Sequence, residues 1–115
     1  MSKLFEVLAI DLTDLYVEMH DEHETALGNP PMRSRMMIRA FARLEGACYV
    51  VANLIGSTED DCWKAAERAA IQATSEGVDF GRKRDSTGKL IPNKGTSYLA
   101  KLVKSELMEL MRTQV

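Results

Sequence analysis

Leu4, Leu8, Leu12, Leu15 and Met19 recur at intervals of four, four, three and four. That period matches one face of an α-helix, and no strand can present it on one side. Similar stripes return along the chain between clear stop signals. The sequence therefore predicts an all-α fold of four helices, a four-helix bundle-like domain. The first helix covers 3–25, with Ser2 able to cap it and Gly28 able to end it. Asn29 and Pro30 open a second helix over about 32–55, because proline at a helix start loses only an N–H that would be orphaned anyway. Its apolar residues Met36, Met37, Ala40, Phe41, Leu44, Ala47, Cys48, Val51, Leu54 and Ile55 make a broad face. So broad a face suggests a central helix, or one buried on two sides.

Gly56 stops that helix. Ser57 and Thr58, followed by Glu59, Asp60 and Asp61, start a third over 58–76, with acids suited to the positive end of the helix dipole. Cys62, Ala66, Ala69 and Ala73 line one side, with Trp63 and Ala70 beside them. Gly77 ends it. Residues 78–95 read as irregular, with a small hairpin pairing 79–84 and 89–91 around the Asp85–Gly88 turn as one option. Thr96 or Ser97 caps a fourth helix over 97–113, whose apolar face is Leu99, Leu102, Val103, Leu107, Leu110 and Met111. The 115 residues suit a single helical domain, 1–115.

Charge is segregated along the chain. Residues 1–28 carry a net −6, 29–56 carry +3, 57–77 carry −3 and 78–115 carry +4, which leaves −2 overall. So small a net charge points to neither nucleic acid nor an anionic membrane as the default partner. Asp14, Glu18 and Glu22 form a stripe of period four on the first helix, and Arg35, Arg39 and Arg43 form one on the second. If the two helices fold back about residues 28 and 29, residues whose numbers sum to 57 lie level. Glu22 then pairs with Arg35, Glu18 with Arg39 and Asp14 with Arg43. These structural ion pairs are the expected role of both stripes, and they specify an antiparallel hairpin. The other reading turns the arginines toward phosphate or RNA, together with the basic loop that holds Arg82, Lys83, Arg84 and Lys89 beside Phe80.

Other chemistry is thinly represented. His20 and His23 are the only histidines. Three residues apart on a helix, they lie near one face, as a transition-metal site requires. A solvated pair near a helix C-terminus uses the same residues and is the expected reading. Glu18 with Asp21 and Glu106 with Glu109 give ExxD before ExxE. That is the reverse of the order in all-helical nucleotide pyrophosphatases, so magnesium chemistry of that type is not expected. There is no GxSxG elbow, no phosphate-binding GxxxxGK loop and no GxGxxG, so no catalytic residue is named and no cofactor is expected. Cys48 and Cys62 lie on apolar faces and read as core. Two cysteines outside any CxxC spacing, and no long apolar segment, suggest a cytoplasmic protein with no membrane association.

The stretch from Arg35 to Gly46, with Arg39, Phe41, Arg43 and Glu45, resembles a segment of HEPN-like all-α bacterial proteins. Asp85–Pro92, a loop and a final amphipathic helix are similar in layout, so the likeness spans 33–111. It implies a helical bundle, usually dimeric, associated with RNA, defence or toxin–antitoxin systems. Active members of that group place a histidine four to six residues after an arginine. Here both histidines precede Arg33, the first arginine of the chain, so the signature does not occur. The expectation is a small non-catalytic interaction or regulatory domain, homodimeric through the broad face of the second helix and its methionines, with a protein partner also in view. The alternative is an HEPN-like RNA-binding protein or ribonuclease using the arginines of the second helix and the 82–89 loop.

Overall fold

In a computed structural model of the chain, four helices form a bundle: α1 (Ser2–Ala26), α2 (Pro30–Ile55), α3 (Glu59–Ser75) and α4 (Lys94–Thr113). The structure describes residues 2–26, 30–81, 83–91 and 93–113, and the side chains of these except at 2, 22–26, 30–37, 84 and 90. The expected capping by Ser2, the Gly28–Asn29 turn and the methionines Met32, Met36 and Met37 lie outside what is described.

The helices pack in a ring, each against its two sequence neighbours, with α4 closing onto α1. α1 also touches α3 across the middle, and α2 is packed on two sides, against α1 and α3. Leu12, Leu44, Leu99 and Leu107 are fully buried, one or two from each of α1, α2 and α4. α3 brings small residues instead: Cys62, Ala65, Ala66, Ala69, Ala70 and Ala73 are all buried. Short side chains let its axis come close, so the leucines of the other three helices fill the centre.

The helix ends follow local chemistry. Thr58 caps α3, its Oγ1 accepting from the N–H of Asp61 at 3.1 Å. At the other end the N–H of Val78 bonds to the carbonyl of Ala73 and that of Gly77 to Thr74, with Gly77 at φ +75°. This is a Schellman stop, and the left-handed residue in it favours glycine. Gly56 ends α2 in the same way, at φ +73°.

Between α3 and α4 lies a small hairpin, β1 (Lys83–Arg84) paired antiparallel with β2 (Leu90–Ile91). Its turn is built by Asp85, whose carboxylate accepts from the N–H groups of Thr87 and Lys89 and from the Thr87 hydroxyl. Gly88, at φ +85°, completes it.

α4 starts at Lys94, three residues earlier than the expected 97. Asn93 does the capping, its Oδ1 accepting from Gly95 N–H at 2.8 Å while its Nδ2 donates to the carbonyl of Gly81. The Thr96 hydroxyl donates to the carbonyl of Phe80 at 2.8 Å. Asn93 thus caps the helix and ties it to the preceding loop, a long-range use that helix periodicity does not carry.

Candidate functional site

The charged stripes come first. Arg43 of α2 binds Glu18 of α1, one turn from the expected Asp14, and Glu18 meets Arg43 rather than Arg39. Their numbers sum to 61, not 57. Side chains on a helix lean toward its N-terminus. In an antiparallel pair both partners lean toward each other's higher-numbered neighbours, so charged tips meet at a larger sum than level Cα atoms do. Arg39 is exposed. The side chains of Glu22 and Arg35 lie outside the described residues.

The basic loop is partly engaged. Lys83 Nζ lies 2.5 Å from Asp79, and this contact, with the Gly81 N–H, holds the Asp79 carboxyl below its usual range. Lys89 is exposed. Arg82 and the Arg84 side chain lie outside the described residues. The loop also packs on α1. The Phe80 ring meets the His20 ring edge-on, with centroids 5.1 Å apart. His20 Nδ1 is 3.7 Å from Asp21 and has no hydrogen-bond partner among the described residues. Among those residues no three His, Cys, Asp or Glu side chains gather as a metal site would require, and the His23 side chain is outside them. Cys48 and Cys62 are buried. Burial, reinforced by the other thiol and by Glu59 and Glu45, pushes Cys48 up to about 12; burial and Asp61 push Cys62 to about 11. Neither is a nucleophile at neutral pH, because the thiolate is the reactive form.

What sequence reading missed is the outer side of α2. Among its described side chains a narrow stripe of that helix is buried: Ala40, Leu44, Cys48, Val51, Ala52 and Ile55. Of the broad face expected to be covered, Phe41 and Leu54 are open to solvent, at 43% and 56%. Beyond the stripe Ile38, Tyr49 and Val50 stand 69%, 60% and 55% exposed. Ile38, Ala42, Gly46, Tyr49 and Val50 recur at three to four residues, so they share one outward face. At Gly46 an added β-carbon would meet nothing within 4 Å, which makes that position an open notch. The signal was present in the sequence: apolar residues continue past the third of the helix circumference that a bundle core uses.

Compared with known proteins, the chain matches no protein-family model, no curated protein and no solved structure. Function must therefore be read from its surfaces.

Concave regions are also found among the described residues. A groove of about 620 Å³ follows the α1/α4 seam, lined among others by Glu6, Ile10, Lys101, Lys104 and Met108. Its charges are of both signs and select no ligand class. A shallower cleft of about 500 Å³ lies between α2 and α3, around Phe41 and Trp63. Among the described residues no helix is long and apolar enough to cross a membrane.

Proposed function

We propose that this chain is a non-catalytic interaction domain that self-associates through the outward face of α2. One observation carries the reading: four large apolar side chains, Ile38, Tyr49, Val50 and Leu54, each more than half exposed on one helix. Large apolar side chains exposed together along one helix are the material of an interface. The face is also complementary to itself. It offers Ile38, Tyr49 and Val50 as knobs and the Ala42–Gly46 notch as a hole, and an isologous dimer requires both on the same surface. A phosphate-directed role draws less support, since Arg43 and Lys83 already hold carboxylates.

Gly46→Leu separates folding from assembly. The added side chain enters open space in the single chain, and replacing a mid-helix glycine should stabilise α2 by about 0.5–1 kcal/mol. In the dimer it fills the notch. Light scattering during gel filtration should find the unaltered chain dimeric and the variant monomeric, with its helicity kept by circular dichroism. A variant that keeps its helicity and stays dimeric removes this face as the interface.

A further inference from the structure

The α2/α3 cleft has a distinct chemistry. Its floor is two aromatic rings, Phe41 from α2 and Trp63 from α3, with centroids 4.8 Å apart and planes tilted by 35°. The remaining lining is Glu45, Thr58, Glu59 and Asp60. Among the described residues no lysine or arginine lines it. Asp60 is held by Lys64 at 2.9 Å, and the Thr58 hydroxyl is used by the α3 cap. Glu45 and Glu59 have no ion-pair partner among the described residues. Two carboxylates without an ion pair among the described residues therefore border an aromatic surface beside which Lys64 is engaged by Asp60. Aromatic faces carry negative electrostatic potential and attract cations, most strongly at tryptophan. Carboxylates on the rim add directional acceptors.

We propose that this cleft binds an arginine side chain presented by a basic segment of a partner protein. Arginine fits better than lysine because its planar guanidinium stacks on a ring while its edge donors reach carboxylates. The surface lies on the α2/α3 seam, and on α2 it adjoins the self-association face, with Phe41 and Glu45 one turn from Ile38 and Tyr49. Cations on the surface of a partner would be drawn to it by charge and held by stacking.

Trp63 is the only tryptophan in the chain, so its emission reports on the cleft directly. The probe is a blocked tetrapeptide with two arginines, titrated at low salt into the full chain. Its counterpart carries citrulline in place of each arginine, which keeps the shape and removes the charge. The arginine peptide should change Trp63 emission saturably, and the citrulline peptide should not. Glu45→Gln and Glu59→Gln should each weaken the response up to about fivefold, the factor an exposed ion pair supplies. Phe41→Leu should weaken it with the carboxylates intact. Both glutamine substitutions are at partly or fully exposed positions, and circular dichroism checks that helicity is kept. Several results overturn the proposal: equal responses to both peptides, a response unchanged in both glutamine variants, or no response up to tens of millimolar. Trp63 emission that depends on protein concentration and not on peptide would also overturn it, since a second copy would then fill the cleft.

Discussion

Gly95 sits where a β-carbon would lie 1.9 Å from the carbonyl oxygen of Asp79. The obstacle is backbone, so one strand of chain must move. Gly95→Ala should therefore destabilise the protein by about 3 kcal/mol, at the upper end of what overpacking costs, as read by urea unfolding. A loss within a few tenths would mean that the loop does not hold α4 this closely. Thr13 presents the opposite case. It is fully buried on α1, and its hydroxyl has no partner among the described residues. Thr13→Val keeps the shape and removes an unsatisfied polar group, so stability should rise by about 1 kcal/mol; a loss would show that the hydroxyl is bonded in solution. The thiols add a pH dependence. Both stay protonated in the native state to about 12 and 11, above the ordinary value near 9. Between those values the unfolded chain releases protons that the native one retains, so stability falls as pH rises above about 9. The same burial predicts slow reaction with Ellman's reagent until urea is added. Fast labelling of native protein at pH 8 would contradict it.

Helices α1 and α2 test how charge stripes set register. The Glu18–Arg43 pair is partly exposed, and such pairs contribute up to about 1 kcal/mol. Arg43→Glu should lower the melting temperature, and adding Glu18→Arg should recover part of the loss, while Asp14→Arg should recover less. Equal rescue by Asp14→Arg would restore the level-residue register. The four helices, the Gly56 and Gly77 stops and the Thr58 cap were legible, because each depends on neighbours within about four residues; the hairpin was only one option for 78–95, since Lys83 and Ile91 pair across eight residues. The pair sum was misjudged because level Cα atoms were used for side chains that lean. The start of α4 was misjudged because Asn93 answers to Gly81, 12 residues away. The cleft was not legible at all. Nothing in the order of residues says that Phe41 and Trp63 will meet, since that depends on how α3 crosses α2.

At the scale of the whole molecule, the bundle buries one stripe of each helix and leaves α2 with more apolar surface than its core needs. Its principal extents are 45 × 28 × 25 Å, and α2 spans much of the long axis. A second copy laid along that helix would cover Ile38, Tyr49 and Val50 without disturbing the α1/α4 seam or the hairpin. Dimerisation would then add to stability by mass action, so the melting temperature should rise with protein concentration. The most direct measurement is native mass spectrometry on protein purified gently, without high salt or chelator. Self-association through α2 predicts a bare species at twice the 12.9 kDa of one chain, collapsing to single chains on Gly46→Leu. A wild-type spectrum of single chains, or of chains carrying nucleic acid, would contradict it.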